Sequence, residues 1–366
     1  MDQHLDFEQP IYTCLEKIEQ LKKIVPAPEN LAEEIAVLER QSHEETEKIY
    51  ANLSPWQKVL VARHPNRPHT LDYIANVFEG FEEMHGDRLS EDDKAIVAGL
   101  GFFDEKPVAV IGHEKGRETA ERVERNFGMP HPSGFRKANR VMKLAEKFSL
   151  PLITLIDTPG AYPGIGAEQR GQAIAIANSI ECCMSLKVPN ISIIIGEGGS
   201  GGAIALASSN KVIMLEHSIY SVISPEGCAS ILWRDPSKSL EAAEAMKLTA
   251  QQLLKLGIVD EVVEEPLGGA HRDHKETAEK IKNIILKYLE NFESLSGDQI
   301  LNHRKTKFLK VGRDQGFKKA KDTIDNNLAF VEPTTSKIIR LFQKRKSLVL
   351  GSAIVLILLV ILSNFL

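Results

Sequence analysis

ISIIIGEGGSGGAIALAS, at residues 191–208, begins as an apolar strand and ends in the small residues of a predicted helix. Between these two parts, Gly196–Gly202 contains five glycines in seven positions. Core packing does not require these glycines, because glycine costs ~0.5–1 kcal/mol relative to alanine in ordered structure. Bare backbone at a helix start presents unpaired N–H groups and the positive end of the helix dipole to negative charge. We therefore interpret this stretch as an oxyanion-stabilising turn.

A second stretch of the same kind is LITLIDTPGAYPGIG, at residues 152–166. It also passes from an apolar strand into a loop rich in glycine and proline. Consecutive strands of a parallel sheet place such loops side by side at the carboxyl edge, where open α/β sheets bind ligands. We expect the two glycine-rich loops to face each other and to form a pocket.

From about residue 95 the chain has the pattern of an α/β protein. Short apolar runs alternate with helical patterns, which predicts a largely parallel sheet covered on both faces. The apolar runs are Ala95–Leu100, Pro107–Ile111, Leu152–Ile156, Ile191–Ile195, Val212–Leu215 and Ile258–Val263.

The first part of the chain, residues 1–65, is a predicted N-terminal helical region. Apolar residues at helical spacing predict two helices within residues 11–51, separated by PAP at 26–28 and forming an antiparallel hairpin. SPWQ at 54–57 has the Ser-x-x-Gln capping pattern with proline at the first helical position, so a third helix is expected to begin there and to end near residue 64. Residues 66–300 are then the predicted main domain.

The composition is that of a globular protein of a reducing compartment. The 366 residues are 43% hydrophobic and 26% charged, and the net charge of −5 argues against a nucleic-acid partner. The acidic N-terminus has no basic-then-apolar leader, which predicts a cytoplasmic location. Neither disulfide spacing nor metal-ligand spacing is present among the cysteines, so no metal is expected on this chain; they are Cys14, Cys182, Cys183 and Cys228.

The C-terminal part has a different composition. Residues 301–346 are polar and weakly patterned, and we interpret them as a linker. Residues 347–366 contain no charged residue and would span ~30 Å as an apolar helix, so they are a candidate transmembrane tail anchor. A buried helix and an amphipathic oligomerisation tail are the alternatives. Five basic residues precede this segment without an intervening acid, as the positive-inside rule favours: Lys337, Arg340, Lys344, Arg345 and Lys346.

Three rival motifs overlap the glycine-rich stretches. IDTPG at 156–160 is similar to the magnesium-side motif of a GTPase, but the chain has no Gly-Lys dipeptide and hence no phosphate-binding P-loop. GEGGSG at 196–201 satisfies G-x-G-x-x-G, with Glu216 in the ribose-binding position, although the helix predicted after it is short for a dinucleotide crossover. Ser200 is a candidate nucleophile, but no histidine or lysine is visibly placed to activate it.

A long connection of mixed charge joins two of the predicted strands, at residues 114–132. It contains the basic residues Lys115, Arg117, Arg122 and Arg125. Connections of this length are commonly functional or mobile.

Four stretches together resemble one family, the alpha subunits of acetyl-CoA carboxylase carboxyltransferases, over most of residues 5–295. They are GRETAERVERNFGMPHPSGFRKA at 116–138, LIDTPGAYPGIGAEQRGQ at 155–172, GEGGSGGAIA at 196–205 and YSVISPEGCASILW at 220–233. The resemblance implies a crotonase-like α/β fold of stacked strand-strand-helix units. It also implies assembly with a separate beta subunit, which bears the family's zinc ribbon, as an α2β2 tetramer.

The reaction implied by the resemblance transfers a carboxyl group from carboxybiotin, on a biotin carboxyl carrier protein, to acetyl-CoA. The product is malonyl-CoA, in the first committed step of fatty acid synthesis, and ATP is used only by the partner biotin carboxylase. Negative charge develops on the ureido oxygen of biotin and on the thioester oxygen. The resemblance assigns the biotin-side donors to Gly201 and Gly202, supported by Gly198 and Gly199, and the thioester-side donors to the beta subunit.

The same resemblance gives the pocket lining as Gly160, Ala161, Tyr162 and Gly164. Alpha subunits of this family commonly end near residue 313, where this chain continues into its linker and apolar tail. Two other functions remain open at this stage. One is a crotonase-fold membrane serine peptidase that uses Ser200, and the other is a non-catalytic scaffold that docks the carrier protein or tethers the complex to a membrane through residues 347–366.

Overall fold

The computed structural model describes residues 4–24 and 30–312. All of these residues belong to one compact unit. The candidate tail anchor at 347–366 and most of the predicted linker at 301–346 lie outside the described residues. Within the described ranges, no helix combines the length and the apolar character that are needed to cross a membrane.

One eight-stranded sheet forms the centre of the described chain. Its strands are β1 (Glu79–Glu83), β2 (Ile96–Phe103), β3 (Lys106–His113), β4 (Leu152–Thr158), β5 (Asn190–Gly199), β6 (Lys211–Leu215), β7 (Ile219–Ser221) and β8 (Glu261–Val263). The order is β1-β2-β3-β4-β5-β6-β8, and β7 pairs with β5. The first three strands pair antiparallel and all later pairs are parallel, which confirms the largely parallel sheet.

Helices surround this sheet. In the described ranges they are α1 (Gln9–Lys22), α2 (Leu31–Tyr50), α3 (Pro55–Ala62), α4 (Thr70–Val77), α5 (Thr119–Glu124), α6 (Pro132–Lys147), α7 (Ile165–Gln169), α8 (Gln172–Ser185), α9 (Ser200–Ala207), α10 (Pro225–Leu232), α11 (Ser239–Met246), α12 (Ala250–Lys255), α13 (His274–Glu293) and α14 (Gly297–Lys310). As the hairpin prediction requires, α1 and α2 pack against each other.

The start of α3 confirms the predicted capping pattern. Gln57 N donates to Ser54 Oγ at 3.2 Å, and Ser54 N donates to Gln57 Oε1 at 2.8 Å. Pro55 occupies the first helical position, where its missing N–H is not needed. The helix ends at Ala62, so Arg63 follows it directly and points its guanidinium toward β5.

Apolar side chains on alternate positions of the strands enter two separate cores. On β5, Ile193 and Ile195 join the core formed with α4 and α13, whereas Ile194 joins the core formed with α6, α8 and α9. This alternation follows from the two-residue period of a strand. Because β5 is covered on both faces, only its end is left to contribute to a site.

The structure corrects the predicted end of β5. The strand was expected to end at Ile195, but it continues through Gly199. Its last residues pair with β7, where Gly198 lies opposite Tyr220 and Gly199 lies opposite Ser221. Pairing with a distant segment thus overrides the low strand propensity of glycine. The glycine run is therefore a strand end followed by a helix start rather than one continuous turn.

The structure also places a helix in the first part of the predicted linker at 301–346. Helix α14 continues to Lys310, and its Arg304 side chain is fully buried. The Arg304 guanidinium donates to Leu186 O at 2.6 Å and to Val188 O at 2.9 Å. Its buried residues are Ile300 and Arg304, and one buried apolar residue produces no helical periodicity, so the sequence pattern did not reveal this helix.

Candidate active site

The predicted oxyanion turn lies where β5 passes into α9. Gly199 caps α9, and Ser200, its first residue, has a left-handed φ of 49°. Ser200 is exposed, Gly201 is half-buried and Gly202 is buried. Within the described residues, the N–H groups of Gly201 and Gly202 donate to no backbone acceptor, as is usual in the first turn of a helix. The turn therefore holds two unpaired donors at the positive end of the α9 dipole.

The two glycine-rich loops are in backbone contact. A Cβ at Gly199 would lie 2.1 Å from the carbonyl oxygen of Pro159, and a Cβ at Gly202 would lie 2.7 Å from the carbonyl carbon of Gly160. Backbone atoms cannot move aside as the end of a side chain can, so this approach requires glycine. The structure thus brings together the ends of β4 and β5, as their order along the chain predicted.

The facing loop, residues 160–164, is fixed by its own contacts. Tyr162 N donates to Pro130 O at 3.0 Å, and the Tyr162 ring lies 4.3 Å from the ring of His131. A Cβ at Gly164 would lie 2.4 Å from Tyr162 Cε1, so glycine at this position lets the tyrosine ring fold back over the loop. Of the predicted lining residues, Gly160 and Ala161 thus lie against Gly202, and Tyr162 folds back over Gly164.

The rival motifs find no support in the described structure. No hydrogen bond joins the Ser200 hydroxyl to a histidine or lysine there, so the peptidase hypothesis lacks an activating base. Glu216, the candidate ribose ligand, accepts a hydrogen bond from Glu265 N at 3.2 Å. Asp157 of the GTPase-like motif is paired with Lys115 at 2.6 Å.

Asp157 belongs to a partly buried group of charges that the sequence analysis did not recognise as a unit. Lys115 Nζ lies 2.6 Å from Asp157 Oδ1 and 3.5 Å from Glu197 Oε2. Arg63 Nη2 lies 2.7 Å from Glu197 Oε1, and Arg63 Nη1 lies 2.6 Å from Glu226 Oε1 at the start of α10. We name these five residues the charged cluster. It joins α3, β4, β5, α10 and the connection after β3.

Opposing effects set the protonation states in the charged cluster. Burial alone would lower the pKa of Lys115, but Asp157 and Glu197 outweigh burial and raise that pKa above its usual value. Burial alone would raise the pKa of Asp157, but Lys115, His69 and the Glu197 N–H group together outweigh burial and lower that pKa. Both groups are therefore charged at neutral pH. The only sequence signal for this cluster is an aspartate inside an apolar strand.

A cavity of about 190 Å³ opens above the charged cluster. Lys115, Asp157 and Glu197 line it, together with Pro159 just before the facing loop. Phe127 also lines this cavity; it is 49% exposed, and its φ of 55° places its backbone in the left-handed region. Among residues 4–24 and 30–312, no group of three or more His, Cys, Asp or Glu side chains is arranged to hold a metal ion.

The fold is that of the crotonase-like carboxyltransferases. A structure of transcarboxylase 12S with hydrolysed methylmalonyl-coenzyme A bound gives a TM-score of 0.51 at 18% identity, covering 63% of this chain and 43% of that one. A second transcarboxylase 12S structure, with methylmalonyl-coenzyme A and methylmalonic acid bound, gives 0.50 at 18% identity, covering 62% and 42%. These likenesses confirm the crotonase-like α/β fold.

Sequence relatives then identify the family. The chain is 52% identical over 350 residues to the acetyl-coenzyme A carboxylase carboxyl transferase subunit alpha of Pelagibacter ubique (strain HTCC1062), covering 94% of this chain and 95% of that protein. It is 54% identical over 310 residues to the subunit alpha of Azoarcus sp. (strain BH72), covering 84% and 97%. The family model for acetyl co-enzyme A carboxylase carboxyltransferase-like proteins matches residues 4–312. The chain belongs to the family of acetyl-CoA carboxylase carboxyltransferase alpha subunits, as its four motifs predicted.

Proposed function

We propose that this chain is the alpha half of a two-subunit carboxyltransferase that transfers a carboxyl group from carboxybiotin to acetyl-CoA and forms malonyl-CoA. Membership of the alpha-subunit family supports this proposal. The observation on which it depends is the pair of unpaired N–H groups at Gly201 and Gly202, at the start of α9 and against the facing loop. The product would enter fatty acid synthesis.

The turn fits a group on which negative charge develops. Bound carboxybiotin supplies the carboxyl group and a base for the methyl proton of acetyl-CoA. The N–H groups of Gly201 and Gly202 would donate to the ureido oxygen of biotin and would stabilise the negative charge that this oxygen gains in the transfer. Loss of one such donor costs ~3–4 kcal/mol of barrier in other enzymes. These backbone donors suit the task because they are rigid and hold no titratable proton.

The other predicted site residues take supporting roles in this proposal. Gly198 and Gly199 hold the end of β5 against β7 and the facing loop, which fixes the direction of the following N–H groups. We assign the substrate-facing wall beside the turn to Gly160, Ala161, Tyr162 and Gly164. We assign the donors for the thioester oxygen to a zinc-ribbon beta subunit.

The partners follow from this division of the site. We propose an α2β2 assembly with the beta subunit, served by a biotin carboxyl carrier protein. A separate biotin carboxylase would use ATP to load the carrier. We place the assembly in the cytoplasm, with residues 347–366 as a tether to the cytoplasmic face of the membrane.

A carboxyl-transfer assay tests the proposal. The chain and a beta subunit of the same family, expressed together, should form malonyl-CoA from acetyl-CoA and carboxybiotin, and neither subunit should do so alone. The key variant is Gly201→Val, because a Cβ at Gly201 meets only the flexible Ile176 side chain, at 3.2 Å and beyond. Valine keeps its N–H group, but we expect its branched side chain to block access to the donors, so that kcat falls by roughly 10²–10³-fold, as much as on loss of one oxyanion donor.

The matched control is Gly166→Val. A Cβ at Gly166 meets only the end of the Arg170 side chain, at 3.6 Å, and Gly166 is exposed on α7. This variant should keep wild-type kcat. A Gly201→Val complex that is folded and fully active would refute the assignment of the turn. Full activity of the beta subunit and carrier without this chain would instead favour a scaffold.

A further inference from the structure

The pairing of β4 with β5 loses register just before the two glycine-rich loops. Ile156 lies opposite Ile194, but Thr158 lies opposite Gly198, so β5 has two more residues than β4 across this interval. A bulge of this kind interrupts the hydrogen-bond ladder and changes the direction of the residues after it. The position of the glycine turn therefore depends on what holds the bulge in shape.

Side chains of the charged cluster occupy this bulge. Asp157 Oδ1 accepts a hydrogen bond from Glu197 N at 2.9 Å, in place of a ladder bond. A Cβ at Gly196 would lie 2.6 Å from the same oxygen, so glycine at 196 admits the carboxylate. A Cβ at Gly128, where φ is +76°, would lie 2.8 Å from Lys115 Cγ. Two glycines thus leave room for one carboxylate and one lysine stem.

We propose that Lys115 is a positioning residue for carboxyl transfer. Its ammonium group ties Asp157 to Glu197 and thereby fixes the glycine turn against the facing loop. Lys115 acts through these two carboxylates and touches neither the Gly201 nor the Gly202 N–H group. The expected change in kcat rests on the proposed function, whereas the expected change in amide exchange at the glycine turn can be measured without an activity assay.

Electrostatics explains why the ammonium group is needed. The side chains of Asp157 and Glu197 are only 4% and 8% exposed, and both carboxylates lie within 3.5 Å of Lys115 Nζ. The ion pairs of Arg63 go to Glu197 and Glu226, so Arg63 does not neutralise Asp157 in place of the lysine. Without Lys115 the two buried carboxylates repel each other, and an uncompensated buried charge is strongly destabilising. Either the bulge then changes shape, or one of the two carboxylates takes up a proton.

The test uses the complete complex with the beta subunit and the variants Lys115→Met and Lys115→Arg. Methionine removes the charge and keeps most of the stem, whereas arginine keeps the charge. The matched control is Lys307→Met, because Lys307 is equally buried, with 14% exposure against 17%, and is paired with Asp260. Activity should be expressed per folded complex, and the exchange of backbone amides over residues 196–202 should be measured by hydrogen–deuterium exchange.

We expect Lys115→Met to lower kcat by roughly 10- to 100-fold, with the KM for acetyl-CoA changed less than about threefold, because a misplaced turn loses transition-state contacts first. Amides over residues 196–202 should exchange faster than in the wild type, and Lys115→Arg should recover most of kcat. Lys307→Met should change neither kcat nor this exchange. If Lys115→Met keeps kcat and exchange within twofold of wild type, Lys115 is not a positioning residue. If the wild-type complex forms no malonyl-CoA but the exchange difference appears, the proposed function fails while the role of Lys115 in holding the turn stands.

Discussion

Gly201 and Gly202 are neighbours in sequence, but their surroundings make different demands on the side chain. A Cβ at Gly202 would lie 2.7 Å from Gly160 C and 2.9 Å from Ala161 N, which are backbone atoms. We expect Gly202→Ala to force the two loops apart, to destabilise the protein by about 1–3 kcal/mol and to lower kcat by about 100-fold. Thermal unfolding and carboxyl-transfer kinetics measure the two effects.

Gly201→Ala is the internal control for that prediction. Its Cβ would meet only the flexible Ile176 side chain, at 3.2 Å, and the alanine N–H group remains a donor. Its effect on stability and kcat should therefore be much smaller. Equal losses in the two variants would show that the close backbone contact at Gly202 does not matter.

His113, at the end of β3, gives the protein a stability that depends on pH. It is fully buried, and burial lowers its pKa to about 4, against the opposing effect of Asp157. In the unfolded chain the imidazole takes up a proton near pH 6.5, whereas in the folded protein it takes up this proton only near pH 4. The contribution of His113 to the free energy of unfolding is therefore fully present above about pH 6.5 and is lost as the pH drops toward 4.

Urea unfolding at pH 7 and pH 5 tests whether the protein loses stability as the pH falls. His113 should contribute about 2 kcal/mol to the loss of stability between these pH values. In His113→Asn this contribution disappears, so the variant's loss should be smaller than that of the wild type by about that amount. His271, whose pKa is lowered to about 2, remains in both proteins and cancels in the comparison. The same pH slope in both proteins would exclude His113 as the titrating group.

At the scale of elements, Arg304 attaches α14 to the rest of the described fold. Its guanidinium donates to two carbonyl oxygens, Leu186 O and Val188 O, and to the Asn210 side chain. Burial lowers the pKa of Arg304 to about 10, so the group stays charged at neutral pH. Arg304→Met should leave these buried acceptors unpaired and cost about 3 kcal/mol, with faster amide exchange over Gly297–Lys310. The exposed neighbour Lys305→Met is the control, and equal behaviour of the two variants would contradict the role of Arg304.

Elements with local signals could be predicted from the sequence, and those made by distant pairing could not. The start of α3 was predictable, because Ser54 and Gln57 cap it within four residues. The extension of β5 was not, because it depends on β7, about twenty residues further along the chain. The charged cluster was missed for the same physical reason. Lys115, Asp157 and Glu197 come from three strand ends, about forty residues apart from one to the next, and only the folded sheet brings them together.

At the scale of the whole molecule, the family motifs predicted the fold and the family, whereas the site residues and the C-terminal region need their own tests. The match to the Pelagibacter ubique relative covers 94% of this chain, so it continues beyond residue 312, while the Azoarcus relative covers 84%. Part of the C-terminal region therefore has a counterpart in the Pelagibacter ubique relative.

The tail anchor proposed at residues 347–366 makes a prediction for the full chain. Its uncharged sequence is long enough to span a bilayer, and Lys344, Arg345 and Lys346 just before it favour the cytoplasmic face. The full-length protein should sediment with membranes and resist a salt wash, whereas a chain ending at Lys346 should stay in the supernatant with unchanged carboxyl transfer. Leu356→Arg with Leu359→Arg should also release the protein, because each arginine near the centre of a membrane helix costs about 2.5–3.5 kcal/mol. Release of the full-length protein by salt alone would indicate electrostatic attachment by the basic residues, and equal sedimentation of all three proteins would rule out the anchor.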